Sequence, residues 1–378
     1  KNFFEVTPSD LGLVDVVIGN PPFIRYQQFS GNARNLALTR SREAGVDLSA
    51  LTSSWAPFFV HSVEFLKAGG RLAMVAPAEL AHANYARPVI RHLCESFRAV
   101  SILAFDRRIF ADLSEDTVLV LAEGKGGEHE KFSLSTVLDI ENLPAALNSE
   151  IRLSAPDMFS GAVRMIEYFL PERTRQLYKE IQGTKKIGKL GDFANVGIGY
   201  VTGANDFFHL NADTARELQI PDKYLAPVVR SGADLQGVFF TRADWKVAAD
   251  SGTANRLLRI SGPPGMLPLS VRGYLARGRR SGIHKRYKCR TRSRWYDVPH
   301  VYQADGFLTY MSGGEPRLVA DTAGAFAPNT LHIVRMRQDA SPAARALAVT
   351  WQSRVTKQSC EIEGHSLGGG LLKLEPKE

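Results

Sequence analysis

The stretch Val14-Asp15-Val16-Val17-Ile18-Gly19-Asn20-Pro21-Pro22-Phe23 decides how the rest of the chain is read. A run of β-branched residues interrupted only by Asp15 leads into tandem prolines, which lack the N–H needed to continue a ladder. The pattern predicts a buried strand that ends at Asn20. Ligands of open α/β sheets bind beyond the carboxyl ends of strands, so Asn20 stands where such a sheet carries its chemistry. Outward from it, Arg71–Val75, Val100–Phe105 and Thr117–Ala122 read as further strands. Trp55–Leu66, ended by Ala68-Gly69-Gly70, and Ala86–Glu95 read as helices. This alternation predicts an α/β layer domain over residues 1–165, built on a parallel sheet with crossover helices. Residues of about 130 to 165 read as irregular, and Pro171–Gly183 as a charged helix beyond the domain boundary. Residues 166–378 read as a mixed, β-rich domain. Its short segments are Phe193–Gly203, Tyr224–Arg230, Gly237–Thr241, Arg317–Ala320 and Thr330–Arg335, with helix-like Ser341–Arg354.

Composition excludes several classes. At 378 residues, 44% hydrophobic and 23% charged, the chain is globular and longer than one core usually serves. It has no heptad run, solenoid repeat or low-complexity tract. Its longest apolar runs, such as Leu13–Gly19 and Thr117–Ala122, fall far short of the roughly 20 residues of a membrane helix. Cys94, Cys289 and Cys360 are too scattered for a zinc site and too few for a disulfide framework, which suits a reducing cytoplasm. His61 and His82 lack metal-ligand spacing and read as structural or surface residues, so no metal is expected. The chain opens Lys1-Asn2-Phe3-Phe4 without an initiator methionine or a signal-peptide pattern, and is expected to be a fragment or a processed chain.

The net charge of +8 is local. Arg272, Arg277, Arg279, Arg280, Lys285, Arg286, Lys288, Arg290, Arg292 and Arg294 form a segment with no acidic residue, and the rest of the chain sums to −2. So many uncompensated cations repel one another unless an anion neutralises them, which points to a polyanion. Tyr274, Tyr287, Trp295 and Tyr296 interleave with the cations, and aromatic faces among arginines suit phosphates and bases. Nucleic acid is the expected partner.

Asn20-Pro21-Pro22-Phe23 has the makings of a clamp. The prolines fix the backbone and leave carbonyl oxygens free to accept, and the Asn20 side-chain oxygen is a second acceptor. Two acceptors can hold one NH2 group. An amine conjugated to an aromatic ring is a poor nucleophile; two in-plane acceptors favour a more tetrahedral nitrogen whose lone pair can attack. Phe23 can stack on the ring that bears the amine.

These residues resemble the adenine-N6 DNA methyltransferases, in particular the gamma-arranged, Taq-type and type IIG enzymes of restriction–modification systems. The resemblance continues through Ile24-Arg25-Tyr26-Gln27, Ser53-Ser54-Trp55-Ala56-Pro57-Phe58-Phe59, Leu66–Pro77, and Phe105–Phe110 followed by Asp116–Val120. It implies S-adenosylmethionine as cofactor, with Phe58 bordering its adenine, and Phe110 packing with Phe23 against a flipped target base. Asn2-Phe3 is similar to the segment that contacts the cofactor's adenine, although the family usually carries aspartate where this chain has Asn2. Gly197–Phe208, Leu225–Arg230 and Gly364–Leu374 resemble a target-recognition domain, which gives the Arg272–Arg294 segment a phosphate-binding role on double-stranded DNA.

The family's glycine-rich turn and its acidic residue precede the Asn-Pro-Pro-aromatic motif, and this chain has neither. The resemblance therefore implies a partial Rossmann-like methyltransferase sheet whose amino-terminal strands are missing, followed by the target-recognition domain. It implies a restriction endonuclease, fused or separate, as companion. Two rival readings are a DNA-binding specificity fragment without catalysis, and a methyltransferase acting on another planar amine such as an rRNA guanine N2 or a protein glutamine.

Overall fold

Val14–Gly19 forms strand β1, which is a largely exposed edge strand and not the buried one its apolar run predicts, and the ladder stops before Asn20 and the prolines that lack donors. The computed structural model describes residues 2–81, 84–105, 116–138, 141, 143, 151–153, 165–184, 187–338, 343–366 and 371–375. Phe110, His82 and Gly368–Gly370 lie outside the described residues. The chain divides into two compact units, residues 1–183 with 365–370, and residues 184–364 with 371–378.

In the first unit β1 is followed by helix α1 (Gly31–Glu43), helix α2 (Trp55–Glu64), strand β2 (Leu66–Pro77), helix α3 (Arg87–Ser96) and strands β3 (Phe97–Phe105), β4 (Thr117–Lys125), β5 (Lys131–Val137) and β6 (Ile151–Leu153). They make a six-stranded sheet ordered β1-β2-β4-β3-β5-β6. β1 pairs parallel with β2, and β3 with β5, whereas β4 runs antiparallel between β2 and β3. The expected parallel sheet is therefore a mixed one. Only residues 106–116 separate β3 from β4, fewer than the dozen or so that a parallel crossover needs. The segment read as irregular contains β5 and β6. In β5 (KFSLSTV) buried serines stand where the pattern sought apolar residues, and the Ser133 hydroxyl shares a 2.7 Å hydrogen bond with Ser101 of β3.

The Gly69-Gly70 pair does not cap a helix, since α2 has already ended at Glu64. It makes an irregularity in β2, whose register against β1 shifts from Val14↔Leu66 to Val16↔Arg71. Gly69 sits at φ +78, and a Cβ on Gly70 would lie 2.8 Å from the Lys67 carbonyl oxygen, so both positions need glycine. One face of the sheet is buried under α2 and α3. Trp55, Phe59, Val60 and Val63 pack there with Leu72 and Met74 of β2, Val100 and Ile102 of β3 and Val120 of β4. Burying each large side chain contributes roughly 1.5–3 kcal/mol. Pro57 is tolerated because it falls in the first turn of α2. Helix α4 (Glu172–Gly183) closes this unit and matches the charged helix read from the sequence.

The second unit holds strands β7 (Ala194–Ile198), β8 (His209–Leu210), β9 (Leu225–Pro227) and β10 (Phe239–Phe240), helix α5 (Arg242–Asp250), β11 (Arg256–Leu258), helix α6 (Leu269–Arg280), β12 (Gly306–Thr309), β13 (Met311–Ser312), β14 (Leu318–Asp321), β15 (Leu331–Met336) and helices α7 (Ala344–Thr350) and α8 (Arg354–Glu363). A five-stranded sheet runs β10-β14-β12-β15-β7, with apolar side chains buried on both faces. A three-stranded sheet, β8-β11-β9, shares its core with α6. The mixed, β-rich expectation matches this unit, and the single helix expected over Ser341–Arg354 is two, divided at Trp351–Ser353.

Candidate active site and nucleic-acid interface

Beyond β1 the chain carries an exposed Asn20, a buried Pro21, an exposed Pro22 and a half-buried Phe23 packed against the main core of the unit. Ser54, at the entry to α2 and only 1% exposed, holds this loop. Its hydroxyl donates to the Pro22 carbonyl oxygen and accepts from the Ile24 N–H at 2.9 Å, while its own N–H donates to the Ile24 carbonyl oxygen at 2.9 Å. The Pro22 carbonyl is thereby occupied. The Pro21 carbonyl oxygen and the Asn20 side chain make no hydrogen bond among the described residues. Two acceptors, one of them a rigid backbone oxygen, are thus left free at the carboxyl end of a strand.

The three residues expected to border a cofactor ring meet in one cluster. Phe3 and Phe58 stack at 5.3 Å with an interplanar angle of 8°, and Phe4 lies edge-on to Phe58 at 4.7 Å. Phe58 falls one turn after Ser54, on the same face of α2. Asn2 caps the short turn Phe3–Glu5 by accepting from the Phe4 N–H at 3.2 Å, and its side-chain NH2 makes no hydrogen bond among the described residues. Arg40 of α1 donates to the Phe4 carbonyl at 3.1 Å, and His61 Nε2 lies 2.9 Å from the Val6 carbonyl oxygen. Burial lowers the His61 pKa, so the neutral ring anchors the amino-terminal segment, in keeping with a structural role. Burial also pushes the Cys94 and Cys360 thiols up to about 12 and raises that of Cys289, which disarms all three as nucleophiles.

In the second unit the basic segment runs from α6 through short turns at Ile283–Lys285 and Tyr287–Arg290. Nine of its ten cations are exposed, and none of the nine makes an ion pair among the described residues. The tenth, Arg292, is half-buried and donates to the carbonyl oxygens of Val201 and Thr202 at 2.8 Å each. Burial lowers its pKa. The aromatic interleaving resolves differently from its sequence reading. Tyr274 is buried, stacks on Phe207 at 4.5 Å and donates its hydroxyl to the Phe207 carbonyl. Tyr274 is turned inward by the periodicity of α6, and Tyr296, buried in a turn beyond it, packs into the same core with Trp295 against it. Tyr287 alone among the four is exposed, at 64%, with Lys288 and Arg290 each 5.6 Å from its ring centre.

A family model for the carboxyl-terminal domain of type II methyltransferase M.Eco57I matches residues 162–378, and one for the Eco57I restriction-modification methylase matches residues 1–110. The chain belongs to the type II restriction-modification methyltransferases. It is 24% identical to type II methyltransferase M.AccI of Acinetobacter calcoaceticus over 96% of this chain and 67% of the relative. With M.XamI of Xanthomonas campestris pv. amaranthicola it shares 24% identity over all of this chain and 68% of the relative. Its fold is similar to that of the type IIL restriction-modification enzyme MmeI, solved in complex with DNA, at a TM-score of 0.53 and 11% identity over 90% of this chain. The chain spans about two thirds of these methyltransferases and 43% of the MmeI chain.

Within this type II methyltransferase fold the sequence reading missed three structural supports. In the sequence Ser54 stands out only as part of the segment that leads to Phe58. Glu79, just past β2, accepts from the Trp55 indole N–H at 2.9 Å and from the Tyr85 hydroxyl, tying the start of α2 to the carboxyl end of β2. Burial, then the neighbouring Glu79 charge, raises the Tyr85 pKa. In the sequence Arg292 looks like the other cations, and only contacts about 90 residues away reveal its backbone role.

Proposed function

We propose that this chain carries the target-base clamp and the DNA-recognition part of an enzyme that methylates the N6 amine of adenine in duplex DNA. The observation that carries the reading is the pair of acceptors without a partner among the described residues, Asn20 Oδ1 and the Pro21 carbonyl, beside Phe23, whose flanking backbone Ser54 holds and whose ring packs against the core. The clamp accepts both N–H bonds of the target amine, and Phe23 packs on its ring with the base rotated out of the duplex. Phe110 is assigned the opposite contact on the base. S-adenosylmethionine, when bound, supplies an electrophilic methyl group. Phe3, Phe58 and the free NH2 of Asn2 fit its planar, polar adenine, since they offer a stacked aromatic pair and an unused donor side by side. No side-chain nucleophile enters this scheme, consistent with the raised thiol pKa values.

The apolar edge of β1 supports a larger sheet in the working enzyme. Val16 is 48% exposed and Ile18 80%, an arrangement suited to a neighbouring strand and its covering helix. The nine unpaired cations are assigned to phosphates of duplex DNA. Three buried free thiols suit the cytoplasm, and no helix among the described residues is long and apolar enough to cross a membrane. The test is transfer from methyl-labelled S-adenosylmethionine to duplex DNA, on this chain and on longer forms that extend the sheet, with mass spectrometry of the nucleosides. N6-methyladenine is the expected product. N4-methylcytosine, or label on RNA or protein in place of DNA, would overturn the assignment.

A further inference from the structure

Met266 and Leu269 are 81% and 78% exposed, as open as any large apolar side chain described in the second unit. They stand in Gly262-Pro263-Pro264-Gly265-Met266-Leu267-Pro268-Leu269, whose three prolines restrict the backbone. The projection is braced from below. Leu267, between the two exposed residues, is buried in the core of the three-stranded sheet. Tyr296, from the far end of the basic segment, donates its hydroxyl to the Gly262 carbonyl at 2.9 Å, and the Met266 N–H donates to the Pro263 carbonyl at 3.1 Å. Leu269 then opens α6. That helix buries Val271, Tyr274, Leu275 and Gly278, so Leu269, Arg272, Ala276 and Arg279 share its outward face.

The apolar tip thus continues directly into the cationic face, and no acidic residue occurs between Asp250 and Asp297. Its surroundings call for a ligand that is anionic outside and apolar within. Duplex DNA has that construction, with phosphates around stacked bases. An anionic membrane has it too, but membrane binding needs an apolar helical face, and beyond Leu269 the outward face of α6 offers only Ala276 between Arg272 and Arg279. We propose that Met266 and Leu269 form a wedge that enters the base stack while the cations behind it hold the phosphates. This inference rests on the reading that the second unit binds duplex DNA.

The experiment uses this chain, closed circular plasmid and topoisomerase I, with Met266→Ser/Leu269→Ser as the variant. Both side chains are exposed, so the variant keeps the melting temperature of the parent. The parent chain is expected to shift the topoisomer distribution by unstacking a base step. The variant is expected to bind about 10-fold or more weakly, from lost apolar burial, and to leave the topoisomers unshifted even at saturation. Its salt dependence stays that of the parent, since no phosphate contact is lost. A variant that binds and shifts topoisomers as the parent does would overturn the wedge. So would binding to phosphatidylserine vesicles that the same substitutions abolish. Absence of any DNA binding by the parent would instead remove the DNA reading on which the wedge depends, and the two failures are distinguishable.

Discussion

Replacing Ser54 with alanine tests whether the clamp loop is held as described. The hydroxyl makes two bonds, to the Pro22 carbonyl and from the Ile24 N–H, and each contributes about 0.5–1.5 kcal/mol net. Removing it also strips the Ile24 N–H of its partner; Ile24 is 39% exposed, so water recovers part of that loss. The total is about 2 kcal/mol. In a unit of this size that lowers the melting temperature by about 4–8 °C. Locally, the free energy of opening the loop falls by the same amount, which accelerates hydrogen exchange of the Ile24 amide by about 30-fold. Exchange followed by mass spectrometry on a peptide spanning Asn20–Phe29 reads this directly. Unchanged protection and unchanged melting in Ser54→Ala would refute the claim that Ser54 organises the loop.

Acid stability follows from His209, which is 3% exposed, shares a 2.8 Å hydrogen bond with the Tyr200 hydroxyl, and is depressed by burial to about 3. The unfolded chain binds the proton below about pH 6.5 and the folded chain does not. Stability of the second unit is therefore full above pH 6.5 and falls towards pH 3, by at most about 1.4 kcal/mol per pH unit; urea melts read by tryptophan fluorescence should show that slope, and His209→Gln should flatten it. Substituting Arg272, Arg279, Arg280 and Arg286 with glutamine should reduce the salt slope of DNA binding by up to about 0.9 per lost phosphate contact without altering the melting temperature, and an unchanged slope would return the segment to a solvated face. Arg292→Gln should do the reverse, leaving the slope nearly intact and destabilising the second unit by about 1–3 kcal/mol in a urea melt, because two carbonyls lose a charged donor.

The features that were legible in the sequence are those set by local chemistry. Tandem prolines stop β1 at Asn20 wherever the rest of the chain goes, and the apolar runs of β2, β3 and β4 each produce a strand. Strand direction was not legible, since the buried run of β4 reads the same parallel or antiparallel. β5 was hidden because its buried positions include serines that satisfy one another across strands. Asn2, Phe3 and Phe58 are singled out by resemblance, and Phe3 and Phe58 do stack, whereas Ser54 and Glu79 work through partners that are distant in sequence. Tyr274 and Tyr296 look like base-stacking rings among arginines, but the helical phase of α6 turns Tyr274 into the core and Tyr296 packs into the same core from a turn. The exposed apolar pair Met266 and Leu269 gives no local signal either, because only packing shows that Leu267 is the one turned inward.

The central claim is that Asn20 and the Pro21 carbonyl hold the target amine. It is tested most directly by comparing Asn20→Ala with the parent sequence in labelled methyl transfer, with DNA affinity measured in parallel. Asn20 is exposed and makes no hydrogen bond within the described structure, so the substitution leaves the fold intact. The account predicts that N6-methyladenine formation is lost while DNA affinity stays within a few-fold of the parent. Retained turnover in Asn20→Ala would contradict it.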